Sequence, residues 1–197
     1  MKSCTHCDNQ AIYRDRENGT YLCPTHARLE VIGPRGHIPR PPLTIRPATP
    51  GDMPRILKLA EFFWHKTDID CFGHNYNIAD LPAFVACDEE HIVGVASYAP
   101  EDQALHLVML HILPTWQGRG AASALINALK GQANDQQVSH IILATSNDNL
   151  PALGFYQRLG FTITKILPGS ISEEHPDLEP GFSGIPIRDE IQMEMKL

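Results

Sequence analysis

The 197-residue chain contains no apolar run near the roughly 20 residues that a helix needs to cross a bilayer. Its opening, Met1-Lys-Ser-Cys4, continues into polar residues rather than an apolar signal core, so a cytoplasmic location without membrane attachment is expected. Neither Gly-x-Gly-x-x-Gly with a following ribose-binding acid nor Gly-x-x-x-x-Gly-Lys-Ser/Thr occurs, which sets aside the usual dinucleotide and nucleoside-triphosphate sites. Basic residues are scarce: 16 Lys and Arg stand against 23 Asp and Glu, for a formal net charge of −7. That balance argues against broad nucleic-acid binding, where phosphate neutralisation dominates affinity, and suits an amine or other cationic partner. The five cysteines are odd in number, so a disulfide framework is not expected. The length allows one compact domain plus a small appendage.

Charge is divided unevenly. Residues 1–40 carry six basic against four acidic side chains, leaving ten against nineteen in the rest. Within that first segment Cys4-Thr-His-Cys7 is followed, after fifteen residues, by Cys23-Pro-Thr-His26. Two short donor pairs on separate turns are what tetrahedral Zn²⁺ requires. Cys4, Cys7, Cys23 and His26 are therefore the expected ligands of a structural Cys₃His site with no position open to water. Ala11–Arg16 and Thr20–Leu22 read as short strands around Glu17-Asn18-Gly19, and the pattern resembles a small zinc ribbon or treble-clef finger. About forty residues cannot bury a sufficient core alone, so the metal would supply the folding energy. Such a module could dock a protein or RNA partner, read nucleic acid or form a lid on the enzyme. The Pro- and Gly-rich run 33–42 reads as a stiff connector, which places the expected domains at 1–40 and 41–197.

Beyond the connector, strands and helices alternate. Strand Leu43–Pro47 leads to a helix from about Asp52 to Lys66, with Asp52 as its cap and a buried stripe of Ile56, Leu59, Ala60, Phe63 and Trp64. Thr67–Ala79 reads as irregular. Strands Ala83–Asp88 and His91–Tyr98 form a hairpin about Asp88-Glu-Glu90. Strand Ala104–Leu113 feeds a helix ending near Gln132. Strand His140–Thr145, helix Pro151–Leu159, strand Phe161–Leu167, a long loop Pro168–Pro186 and strand Arg188–Leu197 complete the chain. Cys71 and Cys87 read as buried small hydrophobes. The expected fold class is α/β (α+β), a mixed, mostly antiparallel central sheet flanked by helices, beside the small N-terminal zinc-binding module.

The stretch Leu113-Pro-Thr-Trp-Gln-Gly-Arg-Gly-Ala-Ala-Ser-Ala-Leu125 turns a strand into an Ala-rich helix through small residues. The first N–H groups of a helix lack intrahelical partners and carry the positive end of its dipole. With Gly118, Gly120, Ala121 and Ala122 keeping side chains short, a pyrophosphate can approach them.

Gln117-Gly-Arg-Gly-Ala-Ala122 resembles the Gln/Arg-x-x-Gly-x-Gly/Ala loop of the GNAT superfamily of acetyl-CoA-dependent N-acyltransferases. Asn149-Leu-Pro-Ala-Leu-Gly-Phe-Tyr-Gln-Arg-Leu-Gly-Phe161 resembles the family's Asn-x-x-Ala-x-x-Phe-Tyr-x-x-x-Gly-Phe segment, and Leu43–Asp52 its first strand and turn. The resemblance spans residues 43–197 and implies acetyl transfer from acetyl-CoA to an amine acceptor by direct attack in a ternary complex. It implies that Gln117, Gly118, Arg119, Gly120, Ala121 and Ala122 hold the pyrophosphate. It further implies that Leu110 and Ile112 pair with the pantetheine arm through their backbones, with the Leu110 N–H facing the oxyanion. Tyr156 would be the general acid for the leaving thiolate, close to the cofactor; Asn149 would hydrogen-bond the cofactor as well as cap the helix from Pro151, and Phe155 would pack beside the cofactor site. For the general base, His106 resembles one of two strand histidines in arylalkylamine acetyltransferases, the second being Val108 here. Glu101 and Asp102 in the preceding turn are rivals. Five residues apart on one strand, His106 and His111 are expected on opposite faces. The acidic stretch 168–186 lies where the family builds substrate walls. A different class stays open: an acyl-CoA-binding sensor or interaction protein whose zinc module docks a partner.

Overall fold

The computed structural model describes residues 13–14, 21–22, 43–64, 66–101 and 103–197. Its chain divides into two units, Met1–Pro41 and Pro42–Leu197. The four expected zinc ligands, Cys4, Cys7, Cys23 and His26, lie outside the described residues, as does Asp102. In the first unit, strands β1 (Tyr13–Arg14) and β2 (Tyr21–Leu22) pair antiparallel.

The second unit holds a seven-stranded sheet. Its strands are β3 (Thr44–Pro47), β6 (Ala83–Asp88), β7 (His91–Pro100), β8 (Ala104–Ile112), β9 (His140–Ser146), β10 (Thr162–Leu167) and β11 (Glu190–Lys196). They lie in the order β10-β11-β9-β8-β7-β6-β3. Every pair is antiparallel except β8 with β9. Helix α1 (Met53–Trp64) covers one face, its Ile56, Leu59 and Ala60 packing with Val85, Val95, Val108 and Met109. Helices α2 (Ala121–Asp135) and α3 (Leu150–Arg158) cover the other, where Leu125, Ile126, Leu129 and Tyr156 pack with Leu105, Leu107, Leu143 and Met193. Each of the aliphatic side chains fully buried there contributes ~1.5–3 kcal/mol. The mixed sheet with helices on both faces is the architecture expected from the sequence.

Four local expectations change. Asp52 does not cap α1. Thr49 begins a 3₁₀ turn, Pro50–Asp52, that runs into the helix, and Asp52 reaches back to accept from the Thr49 N–H at 2.7 Å and its hydroxyl at 2.8 Å. The same carboxylate takes both arms of Arg46, at 2.7 and 2.9 Å, which holds it well below the usual carboxylate range.

The segment expected to be irregular forms a hairpin instead, β4 (Asp68–Cys71) and β5 (His74–Asn77). Its two-residue turn places Phe72 at φ 53° and Gly73 at φ 71°. Two consecutive positive φ values match the twist of the flanking strands, as in a type I′ turn. A phenylalanine there is strained, and its ring is held edge-on to His106 at 4.4 Å. The long loop after β10 likewise contains a short helix, α4 (Ser170–Glu174).

The last change puts two histidines on one face. β7 pairs Ser97 with Met109 and Tyr98 with Leu107, so Val108 is an extra residue on β8. A bulge of this kind reverses the alternation of side chains beyond it. His106 and His111 therefore share the α1 face rather than pointing apart. His111 stacks on Phe63 of α1, with centroids 4.1 Å apart and planes within 6°.

Candidate active site

β8 and β9 begin side by side and then separate. Their register runs from Ala104↔His140 to Leu107↔Leu143 and stops, although β8 continues to Ile112 and β9 to Ser146. β8 keeps its partner on the other side as far as Ile112↔Gly94, and β9 keeps β11 as far as Ser146↔Glu190. Between the diverging halves the facing backbone edges of residues 108–112 and 144–146 have no strand partner among the described residues. Backbone polar groups of this kind need partners. An extended amide-bearing chain laid in the gap would provide them.

At the far end of β8 the turn is locked before α2 begins. Gln117 Nε2 donates to the Ile112 carbonyl at 3.1 Å, and the Trp116 N–H to Leu113 at 2.8 Å. The Arg119 guanidinium lies over the Trp116 ring, 5.2 Å from its centroid. Gly118 and Gly120 take φ 74° and 90°, conformations that side chains disfavour. Gly120 is the N-cap of a 15-residue helix and supplies no side-chain cap. Among the described residues the first N–H groups of α2 meet no acceptor, and the positive end of the dipole lies behind them. Ala121 is buried in the core while Ala122 is half-buried.

Across the α1 face, four side chains connect in line. Tyr76 of β5 donates its hydroxyl to Glu101 Oε1 at 3.0 Å. The Tyr76 hydroxyl oxygen also lies 3.1 Å from His106 Nδ1, and His106 Nε2 lies 3.7 Å from Cys71 Sγ. His106 is 1% exposed, whereas Glu101 faces solvent. Burial, with His74 nearby, lowers the imidazole pKa to about 4, so His106 is neutral at neutral pH. Burial pushes the Cys71 thiol up to about 12, with Glu190 and Asp70 adding to the shift. Tyr76 is raised above the ordinary phenol range by burial and by its carboxylate partner.

The turn Asn147-Asp148-Asn149 ties β9 and α3 to the loop before β11. Asn149 caps α3 through its side-chain oxygen, 3.3 Å from the Ala152 N–H. Asn147 accepts from the N–H groups of Arg188 at 2.8 Å and Asp189 at 3.0 Å, and donates to the Pro186 carbonyl at 3.0 Å. Asp148, 6% exposed, accepts from the Ser146 hydroxyl and, at 3.0 Å, from the Phe182 N–H. A Cβ at Gly181 would collide with Asp148 Oδ2. Gly181→Ala should therefore cost ~1–3 kcal/mol and release the Phe182 amide. Thermal unfolding and amide exchange read this; an unchanged midpoint with Phe182 still protected would refute it.

The Acetyltransferase (GNAT) family profile matches residues 53–161, more than half of the chain. The chain belongs to the GNAT family of acetyltransferases. Human N-acetyltransferase 8B is 38% identical over 87 residues, covering 41% of this chain and 38% of that protein. The uncharacterized protein YxbD of Bacillus subtilis (strain 168) is 27% identical over 128 residues, covering 62% of this chain and 79% of its own length. A GNAT family acetyltransferase from Elizabethkingia anophelis, solved with acetyl-CoA bound, superposes with a TM-score of 0.61 at 20% identity. That match covers 79% of this chain and 98% of the other.

On this GNAT domain the loop residues 117–122 sit together at the start of α2, and Leu110 and Ile112 lie on the diverging half of β8. Tyr156 is buried on α3, its ring edge-on to Phe161 at 5.4 Å, and burial raises its phenol above the ordinary range. Phe155, half-buried, packs on the same core. Of the three candidates for the base, His106 and Glu101 are joined through Tyr76 rather than standing apart, and Asp102 lies outside the described residues. Tyr76, Phe72 and Asp148 escape sequence reasoning. The first two lie in a polar stretch whose Phe-Gly turn is an unusual hairpin signal, and Asp148 resembles any turn aspartate. Among the described residues no group of three His, Cys, Asp or Glu could hold a metal, and no helix is long and apolar enough to cross a membrane.

Proposed function

We propose that this GNAT enzyme transfers an acetyl group from acetyl-CoA to an amine by direct attack within a ternary complex. The observation that carries the reading is the gap between β8 and β9, which ends at the uncapped, glycine-led N-terminus of α2. An amide-bearing arm ending in a pyrophosphate has the two chemistries that this gap and this turn lack partners for. Acetyl-CoA supplies an activated acyl thioester; the remaining steps belong to the chain.

The N–H groups at 121–123 bind the pyrophosphate, and Gln117 and Arg119 hold the turn rather than gripping the ligand, since each is engaged within it. The edge of β8 at Leu110 and Ile112 orients the pantetheine arm, and the Leu110 N–H steadies the carbonyl oxygen as it gains charge. Asn149 fixes the start of α3, whose Tyr156 offers a neutral phenol to the departing sulfur. Its raised pKa keeps the phenol protonated until the C–S bond breaks, and the departing sulfur then takes that proton, which water replaces. On the acceptor side, Glu101 is the exposed end of the line and takes the amine proton; His106, both nitrogens occupied, stands behind it. Glu101, Asp70 and Glu190 around this region favour a cationic acceptor.

Calorimetric titration with acetyl-CoA and with CoA, followed by a screen of polyamines, arylalkylamines and lysine peptides, tests the reading. Saturable one-to-one binding and turnover with an amine support it; absence of binding at millimolar cofactor rejects it. Tyr156→Phe should lower kcat about 10- to 100-fold with CoA affinity nearly unchanged. Equal turnover would remove the acid role.

A further inference from the structure

We propose that Tyr76 is a positioning residue of this acyltransferase: its hydroxyl, held between Glu101 and His106, orients the exposed carboxylate toward the acceptor and fixes His106 as its Nδ1–H tautomer. The inference rests on Glu101 as the group that takes the amine proton.

Counting protons leads to a single arrangement. A phenol has one proton, and Tyr76 gives it to Glu101 Oε1 at 3.0 Å. Its oxygen can then only accept from His106 Nδ1, 3.1 Å away, so Nδ1 carries the proton of the neutral imidazole. Nε2 is left with its lone pair and faces Cys71 Sγ at 3.7 Å, where a protonated thiol donates. Donation therefore runs in one direction, from Cys71 to His106 to Tyr76 to Glu101, and ends at the one member exposed to solvent. When the amine attacks, a C–N bond forms and the thioester C–S bond breaks; the amine proton passes to Glu101 and on to water, and the departing thiolate takes the proton of Tyr156, which water replaces. Tyr76, His106 and Cys71 keep theirs.

The surroundings hold this line in place. The Tyr76 ring stands edge-on to His106 at 5.3 Å and the Phe72 ring at 4.4 Å from another side. Phe72 adopts φ 53° to reach there, and a strained residue packed on a functional side chain is where such strain persists. The other titratable groups about the line are Asp70 and His74 on the hairpin, Glu190 at the start of β11, and His175 near Asp70. Among the described residues, none of the four hydrogen-bonds to Tyr76 or His106.

The test combines ¹⁵N NMR of the histidine side chains with steady-state kinetics on the full chain. In the wild type, His106 should show a protonated Nδ1 and a bare Nε2 at neutral pH. Tyr76→Phe should move the imidazole toward the Nε2–H form and lower kcat about tenfold or more, with KM for acetyl-CoA unchanged. Glu101→Gln, whose amide oxygen still accepts from Tyr76, should lower kcat while keeping the Nδ1–H tautomer. An Nε2–H imidazole in the wild type overturns the proposal, as does a Tyr76→Phe protein with unaltered tautomer and kcat. The tautomer is read without turnover. A correct tautomer in a protein that acetylates no amine would therefore overturn the acceptor reading and leave the hydrogen-bond assignment standing.

Discussion

Replacing Gly120 by valine should reduce acetyl-CoA affinity at least 100-fold while the fold survives. Gly120 has φ 90° and is the N-cap of α2. Valine in that region costs ~1–3 kcal/mol, which the turn can relieve by rotating to negative φ. The rotation swings the peptide planes at the head of α2, and the N–H groups offered to a pyrophosphate no longer converge. Each lost hydrogen bond to a charged oxygen costs ~1.5–3 kcal/mol, so two such losses already exceed a 100-fold change. The helix itself is secured elsewhere, because Leu125, Ile126 and Leu129 are fully buried in the core. Far-UV circular dichroism should therefore change little while the calorimetric isotherm collapses. A variant that binds acetyl-CoA as the wild type does would mean the anion is held by side chains, not by this turn.

The contrast between this turn and the base explains what could be read in advance. The loop at 117–122 is a local device: glycines, a helix start and a strand are contiguous, so linear sequence describes it. The same holds for the sheet strands and for α2 and α3, whose apolar patterns are strong. The proposed acceptor side is assembled from the hairpin β4–β5, Glu101 after β7 and His106 of β8, and the extra residue Val108 then turns His111 onto the same face. Without the bulge, strict alternation places His106 and His111 on opposite faces, and nothing in the identities of residues 104–112 marks where alternation fails. Tyr76 was invisible for a related reason. His74-Asn-Tyr-Asn77 has neither apolar alternation nor a glycine pair, and it becomes a strand because Tyr76 and Phe72 pack on a histidine distant in sequence. Asp52 shows the reverse error: a good capping residue is used three positions later, since Thr49 and Arg46 hold it there.

The same two histidines should make the protein lose stability between about pH 6.5 and pH 4. Burial lowers His106 to about 4 and His111 to about 4, against an ordinary value near 6.5 in an unfolded chain. As pH falls through 6.5 the unfolded state binds protons that the folded state refuses, so unfolding becomes more favourable. The slope ends near pH 4, where the folded state also protonates. For His106 the full window corresponds to ~3 kcal/mol, and His111 acts in the same direction. A domain with a total of ~5–15 kcal/mol would lose a substantial part of its margin. The Asp52–Arg46 pair does not account for it, because Asp52 stays ionised to well below the usual carboxylate range and its contribution is lost only under more acid conditions. Urea unfolding at half-unit intervals reads the effect as a falling midpoint at constant m-value. His106→Gln should flatten the profile without abolishing it, since His111 stacked on Phe63 remains. A midpoint constant from pH 6.5 to 4.5 would show that these imidazoles take up protons in the folded state. Such uptake would also undo the one-way line of hydrogen bonds that ends at Glu101.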